Sequence, residues 1–126
     1  MTLKHIAVVG LTVFALSACQ TTSVENIQTT ASQATIDEAK KNFKNAKNYK
    51  VLDNGVIYYT KYLSGNFRWD PVRSKEISYR ISCEDLRWYL ERGMVARTAL
   101  RGKGAVTYDY DLERCETETP TNIYGS

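Results

Sequence analysis

Between residues 76 and 82, apolar and polar positions alternate one for one: Ile77, Tyr79 and Ile81 against Ser78, Arg80 and Ser82. A period of two predicts a half-buried strand. Val106, Tyr108, Tyr110 and Leu112 repeat it and predict a second. Residues 35–48 follow another rule: Ile36, Ala39, Phe43 and Ala46 recur at helical spacing among lysines and asparagines. Thr35 and Glu38 stand at its start as a capping box, with Thr35 as the cap. The helix has a thin apolar face, so packing on a domain is a better expectation than lying on a membrane surface.

Between these runs the punctuation is clear. Asp53-Asn54-Gly55 separates two stretches rich in β-branched and aromatic residues and predicts a hairpin, with Asn-Gly supplying positive φ. Both faces of the strand after it carry large apolar groups, so the pattern does not choose a buried side. Residues 64–74 contain Gly65, Asn66 and Asp70-Pro71 and predict a loop, although Phe67, Arg68 and Trp69 are bulky for one. Residues 84–92 predict a short helix stopped by Gly93; its wheel places Leu86, Tyr89 and Leu90 inward and Trp88 outward. Residues 94–100 fit helix and strand equally. Gly102-Lys103-Gly104 predicts a turn before the last strand. The sum is an α+β fold: a small antiparallel sheet with two or three helices packed on one face.

The first 19 residues belong to another kind of segment. Lys4 and His5 precede an apolar run from Ile6 to Leu16, too short for a membrane span of about 20 residues. A basic head, a short apolar middle and a small-residue exit have the layout of a secretory signal peptide. Leu16-Ser17-Ala18-Cys19 resembles the lipobox of bacterial lipoproteins at every position. The resemblance implies that residues 1–18 are removed and that Cys19 carries acyl chains, which lay the protein on a membrane without spanning it. Gln20, in place of the aspartate that favours inner-membrane retention in that family, points to the outer membrane, with the domain facing the periplasm. The competing reading is an ordinary secreted protein with a chance cysteine.

Residues 20–34 are rich in Thr, Ser and Gln and contain no aromatic residue. They predict a flexible tether, about 20 Å long as a coil and about 50 Å stretched. The expected organisation is a signal peptide (1–18), a lipidated cysteine with its tether (19–34) and one globular domain (35–126).

Composition then narrows the chemistry. The single histidine of the 126 residues is His5, inside the signal segment. A mature domain without imidazole has no Ser-His or Cys-His pair, no histidine base and no histidine metal ligand. No cofactor is implied, and the protein is expected to be no enzyme. The near balance of 17 Lys+Arg against 14 Asp+Glu, like the compartment, argues against nucleic acid. Cys83 and Cys115 remain, and in an oxidising compartment two cysteines of one small domain pair, stabilising it by roughly 3–4 kcal/mol. Their spacing fits no zinc motif. Both are expected at strand ends. Asp109, Asp111 and Glu113 open like a calcium loop, but Arg114 and Pro120 stand where it needs glycine and glutamate. The wet face of a strand explains the three acids directly.

Arginines recur beside aromatics. Phe67, Arg68 and Trp69 form one group; Arg87, Trp88 and Arg92 form another. These residue types anchor protein interfaces; the plain alternative is surface cations whose stems cover apolar area. The order of lipobox, polar tether, helix, hairpin and late cysteine pair is similar in layout to the small pilotin lipoproteins of type II secretion. That layout implies a non-catalytic envelope lipoprotein with a protein partner. The other expectation is an inhibitor of an attacking hydrolase, or a binder of peptidoglycan or lipopolysaccharide.

Overall fold

The computed structural model describes residues 22–118. The signal peptide, the lipobox with Cys19 and the tail from 119 on lie outside the described residues. The elements in order are a 3-10 turn (Val24–Asn26), α1 (Gln33–Asn42), β1 (Tyr49–Val51), β2 (Val56–Arg68), α2 (Pro71–Tyr79), a π turn (Arg80–Asp85), α3 (Arg87–Leu90), β3 (Val95–Lys103), β4 (Val106–Tyr110) and α4 (Leu112–Thr117). Among the described residues the fold is α+β, a four-stranded sheet in the order β1-β2-β3-β4 with four α-helices.

The sheet is mixed, not antiparallel as expected. β1 with β2 and β3 with β4 are antiparallel neighbours, but the central β2–β3 pair is parallel from Val56↔Val95 to Leu63↔Gly102. A parallel pair requires a crossover, and α2, the π turn and α3 supply it. The strand expected at 76–82 is therefore helical. Asp70 accepts a hydrogen bond from the Arg73 N–H at 2.8 Å and Pro71 follows at the first helical position, so the supposed loop breaker is a helix start. The alternation misled because α2 and the π turn that continues it bury serines: Ser74, Ser78 and Ser82, four residues apart, are each 0% exposed. Among the described residues their hydroxyls find no hydrogen-bond partner. Ser78→Ala is accordingly expected to raise stability by about 1 kcal/mol, since it removes an unpaired buried hydroxyl and improves helix propensity. A loss of stability on denaturant titration would show that the hydroxyl is satisfied.

The hairpin forms where expected, with a different turn. Positive φ falls on Gly55 alone, at 93°, which marks a three-residue loop in place of a two-residue one. Asn54 is freed for longer-range work. Its amide donates to the carbonyls of Val24 at 3.0 Å and Ile27 at 3.2 Å, and the Thr29 hydroxyl donates back to the Asn54 carbonyl. Thr30 N–H bonds Gly93 O at 3.1 Å, and Arg97 donates to the carbonyl of Thr22. The stretch expected as a tether is thus laid on the domain from Thr22 onward. This contact also moves the start of α1: Ser32, not Thr35, is the cap, accepting from the Thr35 N–H at 3.2 Å. The helix stops at Asn42, where Phe43 turns to stack on Tyr49 at 4.8 Å.

The core lies between one sheet face and the helices. Ile57, Tyr59, Ala96, Leu100 and Tyr110 meet Ile36 and Ala39 of α1, Leu86 and Leu90 around α3, and the half-cystines. The Cys83–Cys115 disulfide is present, with Cα atoms 5.5 Å apart. It joins the π turn to α4, not two strand ends, because both supposed strand ends are helical. Leu112 likewise belongs to α4; β4 ends at Tyr110 and Asp111 caps the helix, accepting from the Arg114 N–H at 2.8 Å.

Candidate functional site

The six surface residues singled out by sequence fall into two places. Trp88 stands on α3 with 45% of its surface exposed, while Leu86, Tyr89 and Leu90 point inward as expected. The Arg92 guanidinium lies 3.7 Å over the Trp88 ring and also donates to the Trp88 carbonyl at 2.7 Å. Stacked in this way, the arginine is held by the ring's quadrupole with part of its hydration already displaced. From below, buried Tyr89 meets Trp88 edge-on at 5.0 Å, and its hydroxyl accepts from Asn42 at 2.7 Å. The platform is therefore braced before any partner arrives. Arg87 reaches Glu116 of α4 at 3.6 Å and so carries a structural bond beside it.

Phe67 and Arg68 lie at the other end of β3. Arg68 pairs with Lys103, and four residues of β2 bulge out between Leu63 and Arg68. Phe67 stands on this bulge, 71% exposed. Trp69 does not join them. It is 7% exposed, its indole N–H donates to Arg101 O at 2.7 Å, and its backbone N–H bonds Lys103 O at 2.9 Å. As a surface contact Trp69 is a correction: it closes the core where β2 passes into α2, and its polar edge finds a carbonyl that water would otherwise serve.

Sequence reasoning missed the second face of the sheet. Register places Lys50, Tyr58, Tyr62, Arg97, Arg101 and Lys103 on the side opposite the core. Tyr62 is 70% exposed, and Arg101 donates to the Tyr58 hydroxyl at 2.5 Å. Arg97 makes two bonds to Asp109, at 2.6 and 2.8 Å. The signal was available in Arg97, Arg101 and Lys103 at even spacing, but residues 94–100 admitted a helix and hid it.

The three acids expected on the wet face of the last strand do not share it: Asp109 alone is on β4 and pairs with Arg97, Asp111 caps α4, and Glu113 sits on α4 because the strand ends at Tyr110. Among the described residues no group of three or more Cys, Asp or Glu side chains converges as a metal would need. A groove of about 600 Å³ lies between the docked N-terminal stretch and α4, open to solvent. Of its lining, Asp109 and Asp111 are engaged in the bonds just given, and the Arg114 guanidinium donates to the Asp109 carbonyl at 2.8 Å and to Glu118 at 2.8 Å.

The same end of the domain carries the strongest titration effect. The Tyr110 hydroxyl donates to Glu118 at 2.6 Å, and Arg114 donates to the same carboxylate at 2.8 Å. Burial, then the bond to Glu118, pushes the Tyr110 phenol well up. Burial would raise Glu118 too, but the bonds from Tyr110 and Arg114 outweigh it and hold the carboxyl below its ordinary value. A carboxyl lowered in the folded state stabilises fully above its unfolded value, about 4.3, and the contribution is lost as pH falls through the folded one. Acid is therefore expected to release the end of α4 first. Glu118→Gln should flatten stability against pH between about 5 and 2 relative to the parent. Parallel curves would remove Glu118 from the account.

Among the described residues no helix is long and apolar enough to cross a membrane. Comparison of the chain with protein-family models, curated proteins and solved structures finds no match.

Proposed function

We propose that the protein is a non-catalytic lipoprotein of the bacterial outer membrane, held by acyl chains on Cys19, whose domain binds a protein partner as an accessory or pilotin-like factor of an envelope machine. The lipobox of residues 16–19 supports the anchor, and the missing imidazole supports a binding role over a catalytic one. The observation that carries the reading is Trp88, a large aromatic exposed on a braced turn with Arg92 stacked upon it. Tryptophan and arginine are the residues that most often dominate a binding interface, and a pre-ordered pair spends little entropy on association.

Trp88→Ala is expected to change stability by roughly 0.5–1 kcal/mol and to weaken partner binding by 2 kcal/mol or more, about thirtyfold. The test is affinity capture of envelope proteins by parent and variant, with recovered proteins identified by mass spectrometry. A specific protein lost with Trp88→Ala at near-native melting supports the reading. Equal recovery by both chains removes Trp88 from the interface. Recovery of peptidoglycan or lipopolysaccharide in place of protein moves the domain to the glycan-binding class.

A further inference from the structure

We propose that the open part of the sheet face opposite the core, together with the bulge at its far end, rests on the anionic phospholipid headgroups of the membrane that the protein's own acyl chains enter. The proposal rests on the lipoprotein reading of Cys19 and goes beyond it, because an anchor alone leaves a domain free to tumble. Here the chain is already committed to one face. Arg97, on the side of β3 opposite the core, is buried under the docked stretch and holds the carbonyl of Thr22, and Asn54 holds those of Val24 and Ile27. Cys19 stands three residues before Thr22. Three residues reach at most about 11 Å. The lipid surface therefore lies within that distance of the Arg97 end of the sheet.

That distance also chooses the occupant. A folded domain of about 100 residues has a radius of gyration near 13 Å and does not fit into such a gap. A headgroup layer does. The face suits it chemically. Lys50, Arg101 and Lys103 are exposed on this side against one facing carboxylate, Glu25 near Lys50, and Arg97 is already balanced by Asp109. Arg101 spends a bond on the Tyr58 hydroxyl, a neutral acceptor, and keeps its charge. Juxtamembrane Lys and Arg are drawn to anionic lipid, and aromatic rings settle at headgroup depth. Tyr62 and Phe67 are two of the most exposed large apolar side chains of the described residues, at 70% and 71%. Arg97 and Lys103 are six residues apart on one strand, roughly 20 Å. The docked Thr22 holds the Arg97 end of that lever near the surface, and lipid contact of Arg101 and Lys103 at the other end lays the sheet flat. The helices then face away, and Trp88 is displayed to the periplasm.

The test uses the full chain, expressed with its own signal segment, extracted from membranes and reconstituted as a single copy per nanodisc. Amines are acetylated with a water-soluble reagent and read by peptide mass spectrometry. Exposed Lys41 of α1 and Lys44 just beyond it, on the helical side, serve as internal references. In phosphatidylethanolamine–phosphatidylglycerol discs, Lys50 and Lys103 should react about fivefold or more slowly than those references, and the protection should shrink in phosphatidylcholine discs and in high salt. Labelling of Lys50 and Lys103 as fast as Lys41 and Lys44, on protein whose intact mass shows an acylated Cys19, overturns the docking and leaves the lipoprotein reading standing. An unmodified Cys19 overturns both.

Discussion

Replacing Cys83 and Cys115 together by alanine is expected to cost about 3–4 kcal/mol and to lower the melting temperature by roughly 15–25 °C. The bond spans 32 residues, and closing a loop of that length removes entropy from the unfolded chain. It also holds the π turn and α4 together. Besides this bond, α4 is tied to the body by Arg87–Glu116, at 3.6 Å, and by the Tyr110–Glu118–Arg114 cluster. Arg87–Glu116 is an exposed pair and contributes little, and the Glu118 cluster is partly buried but fixes only the end of α4, so the covalent link is the strongest tie. Melting the parent chain with and without reductant should reproduce the loss. A shift of only about 5 °C would mean that the reduced domain keeps its helical packing unaided.

Trp69→Ala is expected to cost about 3–5 kcal/mol, the range for a buried aromatic cut to alanine. Its ring fills the core where β2 enters α2, and truncation also strands the Arg101 carbonyl. The neighbouring Asp70 cap should loosen with it. Trp88→Ala supplies the contrast, and the chain offers a direct readout because it contains two tryptophans. With Trp69 removed, emission comes from exposed Trp88 alone and shifts to the red; with Trp88 removed, buried Trp69 emits to the blue. Comparable melting of the two variants would contradict the burial of Trp69.

What the chain determined on its own was local and one-sided. The Asp53-Asn54-Gly55 hairpin needs only a glycine able to take positive φ, and neighbouring residues supply the rest. The β4 alternation worked because one side of that strand is apolar and buried, the other polar. The inward phase of Leu86, Tyr89 and Leu90 was legible for the same reason, and so was the pairing of Cys83 with Cys115 as the two cysteines of one small domain. The α+β class followed from these pieces.

Only the tertiary structure decided the rest, because periodicity reports burial only when the buried side is apolar. Across α2 and the π turn the buried stripe is Ser74, Ser78 and Ser82, so a helical segment looked like a strand, and a parallel pair with its crossover looked like part of an antiparallel sheet. Trp69 and Trp88 carry the same side chain beside arginine; what separates them is whether β3 passes close enough to cover the ring. Residues 22–31 have the composition of a tether, and nothing in their own sequence holds them. They are held by Asn54, Gly93 and Arg97, residues far along the chain whose bonds exist only once the sheet has formed.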